Sequence, residues 1–415
     1  MHRFKTFLSD VRGSFTYVFG LMFFPILAFV GPGVDYARAL QAKSVLQGAI
    51  DSTVIMLAKE APKNDAAALK KLAVPYFTAL MGQHADIVPA TLFVTKTDKT
   101  VGITVDGTVK TYFAGIFGFP TYTIATATQA AYANKSIELA MVLDNTGSMA
   151  SANKITELKK ASHSLLNILE KSAVKADQVK VALVPYTTRV NLGTTYKDEN
   201  WLTTTPTGTF MAGYTKPASR TAWGGCVADR DTGYNAAANP VSVPVAKSLY
   251  PMVNCVDGLA QAMPLTSNFT NLHARIDAMK ASGMTNITLG AQWGYEMLSN
   301  NAPFTQASTG DNVERFMILL TDGQNTQDRW GAYDETRMNK DTKAMCDAIT
   351  ERGIAESAKK LKITLYTVLV IDGNEPLLKS CASSPDKYSK VNNASELEAV
   401  FNKIAKDIGQ IRLTM

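Results

Sequence analysis

The chain has 415 residues, 46% of them hydrophobic and 19% charged, which excludes a disordered protein and exceeds what one compact core organises. The net charge of +6 is thinly spread, and no dense Lys/Arg run or arginine–aromatic pattern offers a nucleic-acid surface. The cysteines (Cys226, Cys255, Cys346, Cys381) form no CxxC pair, and the histidines (His2, His84, His163, His273) form no HExxH, so no zinc site is expected.

Residues 1–13 read as a cytoplasmic tail. From Gly13 to Val34 there is no charged residue. That length suits a transmembrane helix over 14–34, because a hydrocarbon core takes roughly 20 apolar residues. A cleaved signal peptide has a shorter apolar region, about 7–15 residues, and Gly31-Pro32-Gly33 is a poor cleavage site. Pro25 is placed to kink the span. Arg3, Lys5 and Arg12 before it favour a cytoplasmic N-terminus, with the bulk of a single-pass inner-membrane protein in the periplasm or at the cell surface. An oxidising compartment lets cysteines pair. Cys226 with Cys255 and Cys346 with Cys381 is the most local of three connectivities, and free buried thiols are the alternative.

Residues 35–134 read as a long helix and a small pilin-like sheet. Ala37, Leu40, Val45, Ala49, Ile50 and Val54 recur at helical spacing, giving a helix over Asp35–Ala61 that continues the span. Asp65 is placed to cap a second helix ending near Met81. Leu92–Thr95, Val101–Val105 and Tyr122–Thr126 then alternate as strands, with turns predicted at Asp98-Lys99 and Asp106-Gly107.

Residues 136–411 alternate apolar strands with amphipathic helices. The strands are Ile137–Leu143, Val179–Pro185, Phe316–Leu320 and Ile363–Ile371. The helices are Ile155–Leu169, Leu289–Leu298, Ala344–Leu361 and Glu396–Ile408. Near-continuous apolar strands belong to a parallel sheet buried on both faces, so the expected fold is a doubly wound, mostly parallel α/β sheet. An aperiodic insertion spans about 191–264, with Trp201, Trp223, Tyr234 and two of the cysteines. It reads either as a segment pinned by a disulfide and aromatic packing or as a partner-specific surface.

Three loops carry the candidate chemistry. Asp144-Asn145-Thr146-Gly147-Ser148 follows the first strand, Thr285 lies in Ser282-Gly283-Met284-Thr285-Asn286-Ile287, and Asp322 lies in Thr321-Asp322-Gly323. Alternate residues of an extended loop point the same way, so Asp144, Thr146 and Ser148 can converge, with Gly147 allowing a tight turn. Ligands of such sheets collect at the carboxyl ends of the strands. Two carboxylates and three hydroxyls are hard oxygen ligands suited to Mg²⁺, with Mn²⁺ or Ca²⁺ as alternatives. One coordination position stays open for a carboxylate from a protein partner. No catalytic residue is assigned. Asn145 breaks an aspartic-protease triplet, and no Gly-x-Ser-x-Gly elbow or histidine triad is present.

The set DxTxS, a Thr in a Gly-x-Thr-Asn-Ile-type loop and TDG resembles the metal-ion-dependent adhesion site of von Willebrand factor type A domains. Thr146 stands where the family prefers Ser. Ser282-Gly283-Met284-Thr285 stands where many relatives carry two glycines. With Val34-Asp35-Tyr36-Ala37-Arg38, Val181-Ala182-Leu183-Val184-Pro185-Tyr186, Cys346-Asp347 and Ser380-Cys381-Ala382, the chain resembles the TadG-like proteins of the Flp/Tad pilus-assembly system. The resemblance implies a non-enzymatic, membrane-anchored assembly or adhesion protein that binds other pilus-assembly components. The alternative is a structural component in which the metal only stabilises the fold. Val18 stands where prepilin-processed relatives carry Glu after Gly13, so that cleavage is not expected.

Overall fold

The computed structural model describes residues 14–411 except 83, 85, 86, 98, 133, 134, 174, 209, 212, 257, 311 and 356–358. The expected tail, residues 1–13, lies outside the described residues. The chain divides into two compact units, Met1–Asn134 and Lys135–Thr414.

In the first unit one helix, α1 (Ser14–Glu60), runs through Pro25 and Pro32 without a break. The expected helix over Asp35–Ala61 is its second half. The transmembrane assignment of 14–34 stands differently. The segment is helical, but among the described residues no helix is long and apolar enough to cross a membrane, and several side chains of 14–34 lie outside that description. Helix α2 (Ala66–Met81) starts at Asp65, whose carboxylate accepts from the Ala68 amide at 2.7 Å. This bond satisfies a helix-start N–H that has no partner within the helix.

Three antiparallel strands follow: β1 (Ile87–Lys96), β2 (Thr100–Lys110) and β3 (Thr121–Ala131). The turn predicted at Asp106-Gly107 is not there, because β2 passes straight through it. Gly107 pairs with Pro89 on one side and Ile124 on the other. A Cβ at that position would stand 3.1 Å from the Val88 carbonyl, so the glycine serves close strand approach and not a reversal. The reversal comes later, at 111–120. Alternate residues Val101, Ile103, Val105 and Val109 bury against Leu46, Ile50 and Leu57 of α1 and Leu69 and Phe77 of α2.

The second unit is built on β4 (Ser136–Asp144), β5 (Val179–Tyr186), β11 (Val313–Thr321), β12 (Ile363–Val370) and β13 (Tyr388–Val391). These five pair in parallel in the order β13-β12-β11-β4-β5. Strand β10 (Met263–Thr266) adds to the free edge of β5 antiparallel. The insertion contributes β6 (Val190–Asn191), β7 (Leu202–Thr203), β8 (Cys226–Val227) and β9 (Tyr250–Val253). The result is a mixed sheet with a parallel centre.

Ala140 and Val142 of β4 face one core with helix α5 (Ile287–Leu298). Leu139, Met141 and Leu143 face the other, with α3 (Lys154–Ser172), α4 (Phe269–Asp277) and α8 (Leu397–Ile411). Burial on both faces is why the strands read as continuous apolar runs. Helix α6 (Glu335–Ile349) begins and ends well before the expected Ala344–Leu361. Asp334 caps it through the Arg337 amide, and Glu351 and Gly353 just past its end take positive φ, which terminates it. Helix α7 (Glu375–Cys381) carries no sequence signal strong enough to predict, yet Asn374 caps it through the Leu377 amide.

Disulfides join Cys226 to Cys255 within the insertion and Cys346 to Cys381 between α6 and α7. The insertion is ordered by aromatic packing. Trp201 and Tyr250 close on Trp293 of α5, with Tyr250 and Trp293 ring centres 4.4 Å apart. Arg230 is fully buried, donates to the carbonyls of Asn239 (2.7 Å) and Ala237 (2.9 Å), and lies 3.8 Å from Glu296.

Burial pushes the Glu296 pKa up to about 7, against the pull of Arg230 and of the Tyr250 hydroxyl that donates to it at 2.8 Å. The folded pKa thus lies above the unfolded value of 4.5, so the folded state holds the proton longer. Stability from this group is full below about pH 4.5 and is lost as pH rises through 7, by about 3 kcal/mol. Glu296→Gln should flatten the decline of unfolding free energy between pH 5 and 8 in urea titrations. An unchanged slope would show that Glu296 does not titrate there.

Candidate metal site

The site forms at the carboxyl ends of β4 and β11, the two central strands. Asp144 ends β4 and Thr321 ends β11. Asp144 is fully buried. Its Oδ1 accepts from the Thr146 amide at 2.8 Å, and its Oδ2 accepts from the Thr321 hydroxyl at 2.7 Å. The Ser148 hydroxyl donates to Asp322 Oδ1 at 2.6 Å, and Thr146 Oγ1 stands 2.9 Å from Ser148 Oγ. Four of the five expected residues therefore lie in one hydrogen-bonded group. Thr285 is brought to the same place, lining a cavity of about 380 Å³ with Ser148, Gly323, Thr326, Asp372 and Gly373.

The second loop docks on the first through backbone bonds. The Gly147 amide donates to the Gly283 carbonyl at 2.9 Å, and the Ser282 amide donates to the Asn145 carbonyl at 2.8 Å. A Cβ on Gly147 would stand 3.3 Å from the Gly283 oxygen. Gly147 therefore permits close loop-to-loop approach; the left-handed conformations lie downstream, at Ala152 (φ 49°) and Asn153 (φ 57°). The third loop closes on Thr285, whose amide donates to Thr326 Oγ1 at 2.8 Å and whose carbonyl accepts from the Thr326 amide at 2.9 Å. Asn286 caps α5 through the Leu289 amide and donates to both oxygens of buried Asp229, at 2.9 and 3.0 Å. Asp229 belongs to the insertion, so the insertion buttresses the loop that carries Thr285. Burial and the neighbouring Asp328 charge push the Asp229 pKa up to about 7, against Asn286 and Arg329.

The sequence reading missed four contributors. Lys154, at the start of α3, is buried and places Nζ 2.8 Å from Asp322 Oδ2. Thr321 and Tyr186 hold Asp144 from behind, the tyrosine hydroxyl donating to the Leu320 carbonyl at 3.1 Å. Asp372 is an exposed carboxylate on the wall of the cavity. Lys154 alone had a usable signal, as a lysine opening an amphipathic helix directly after the first loop. The others depend on which loops meet.

Burial and the Asp322 charge push the Asp144 pKa up to about 6. Two buried carboxylates and adjacent hydroxyls, with an excess of negative charge, are a donor set that fits a hard divalent cation. Among the described residues no group of three or more His, Cys, Asp or Glu could hold a metal, so hydroxyls would have to complete any site.

Residues 13–56 match the family described as "Putative Flp pilus-assembly TadE/G-like". No curated protein matches the chain. Among solved structures, the pilus adhesin SpaC from Lactobacillus rhamnosus GG aligns at TM-score 0.40 and 13% identity, covering 79% of this chain and 35% of SpaC. This chain thus spans about a third of that adhesin's length. The von Willebrand factor domain of the type V pili tip protein Mfa5 from Porphyromonas gingivalis aligns at 0.37 and 12% identity, over 68% of this chain and 97% of that domain. A von Willebrand factor type A protein from Catenulispora acidiphila aligns at 0.35 and 13%, over 78% and 50%. The N-terminal helix thus matches a Flp pilus-assembly TadE/G-like family over residues 13–56, and the second unit carries DxTxS, Thr285 and TDG at one edge of a mixed α/β sheet.

Proposed function

We propose that this is a membrane-anchored, extracytoplasmic pilus-assembly or adhesion protein that holds a protein partner through Mg²⁺ at the Asp144–Asp322 site. One observation carries the reading. Thr146, Ser148, Asp322 and Asp144 converge in one hydrogen-bonded group beside an open cavity that Thr285 also lines. Mg²⁺, Mn²⁺ or Ca²⁺ bound there would offer a Lewis-acidic position to an acidic side chain of the partner. The chain's own residues supply the oxygens and fix their spacing. Lys154 neutralises part of the charge when the cation is away. The uncharged stretch Gly13–Val34 supplies the anchor.

The test uses the detergent-solubilised full chain to capture pilus components with Mg²⁺, with EDTA, and with Mg²⁺ restored. A partner retained only with Mg²⁺, and lost with Asp322→Ala, is the expected result. Capture indifferent to EDTA overturns the reading.

The Lys154–Asp322 ion pair favours a second reading, in which the site serves stability alone. In that case Asp322→Ala lowers the melting temperature in Mg²⁺ as much as it impairs pilus assembly. In the first reading assembly is lost out of proportion to the fall in melting temperature, which is no larger than the loss of bound metal accounts for.

A further inference from the structure

We propose that the loop joining β2 to β3, residues 111–120, is a second membrane contact, its tip seated in the lipid interface beside the anchor helix. The proposal rests on the anchor reading and adds a surface to it. The tip presents Ile116, Phe117 and Phe119 to solvent at 75%, 51% and 64% of their full exposure, and Tyr112 at 67%. Ordinary loops of a water-soluble unit do not gather four large apolar side chains outward, and such a cluster marks an interaction surface.

Its position names the occupant. The loop is fastened to α1 where the uncharged stretch ends. Asp35, the first charged residue after that stretch, is buried, and its carboxylate accepts from the amides of Tyr112 (2.9 Å), Phe113 (2.8 Å) and Ala114 (2.8 Å). Burial raises the pKa of this carboxyl, but the three amides and Arg38 outweigh that and hold it below its ordinary value. A Cβ on Gly31 would stand 2.6 Å from Phe113 Cβ, so helix and loop touch directly. At about 1.5 Å per residue, Gly13–Val34 covers about 30 Å, the depth of a hydrocarbon core. The loop tip is therefore held at the level where that core meets the headgroups, the depth that aromatic side chains favour.

Charge agrees with the placement. Arg38 lies over the Tyr112 ring at 4.0 Å and donates to the Lys110 carbonyl at 3.4 Å. The Arg38 guanidinium thus stands behind the apolar tip, where anionic headgroup phosphates would meet it.

The four native cysteines are all in disulfides, so a single introduced cysteine can be spin-labelled selectively. The full chain, reconstituted in phosphatidylethanolamine–phosphatidylglycerol vesicles, would be labelled in turn at Phe117→Cys, at Phe29→Cys in the anchor, and at Lys99→Cys on the opposite turn of the sheet. Collision with lipid-soluble oxygen is compared with collision with a water-soluble nickel chelate. The expected result is an oxygen-to-nickel ratio at 117 severalfold above that at 99 and approaching that at 29. A lipid-facing 29 with a water-facing 117 overturns this proposal and leaves the anchor standing. A water-facing 29 overturns the anchor reading itself. Shielding of 117 from both reagents means that protein covers the loop, and this too overturns the proposal.

Discussion

Asp144→Asn is expected to lower Mg²⁺ affinity by at least about 100-fold while leaving the metal-free protein as stable as the parent, or more so. Loss of an outer-shell partner alone typically weakens metal binding 10–100-fold, and a direct ligand carries more. The direction of the stability change follows from the site's own electrostatics. Asp144 is fully buried, and burial together with the Asp322 charge raises its pKa to about 6. Near neutral pH the empty site therefore holds an unfavourable like-charge pair, offset only in part by Lys154. Asn keeps an oxygen to accept from the Thr146 amide and removes the repulsion. Calorimetric Mg²⁺ titration and melting curves with and without EDTA separate the two effects. A variant that keeps the parent's Mg²⁺-induced thermal shift would remove Asp144 from the ligand set.

Trp293→Ala is expected to cost the second unit about 3–5 kcal/mol, the range for truncating a fully buried large aromatic. Trp293 faces Tyr250, Trp201 and Phe304 with ring centres 4.4, 6.3 and 5.9 Å away, so its removal empties the joint between α5 and the insertion. Collapse into the gap is hindered because α5 already lies tight on the sheet. A Cβ on Gly294 would stand 2.5 Å from Val142 Cγ2, and one on Gly290 2.7 Å from the Tyr186 ring. The loss should appear in urea unfolding as a lower midpoint, and in limited proteolysis as earlier cleavage within 191–264. A loss below about 1 kcal/mol would mean that the insertion is held by its disulfide and not by this packing.

The N-terminal helix, the apolar strands and the three loops were legible because their signals are local. Helical and alternating periods are written into neighbouring residues, and loop residues that follow a buried strand mark a sheet's ligand edge. Asp106-Gly107 misled because a glycine demanded by close strand packing carries the same letters as a turn. The expected Ala344–Leu361 helix misled because the cap at Asp334 and the positive-φ residues near 351–353 fix its ends, and periodicity alone does not weigh them. The insertion was illegible for a different reason. Its order comes from Trp293, Asn286 and Arg329, all far away in sequence.

Sequence by itself determined which oxygen-bearing residues this protein owns, and that two of their three loops follow strands of one α/β sheet. Only the tertiary structure decided that Lys154 would share Asp322, that Asp229 would brace the loop of Thr285, and that Asp35 would fasten an aromatic loop to the end of the uncharged helix. Such pairings join residues far apart along the chain, and their strength comes from burial, which no single segment can arrange alone.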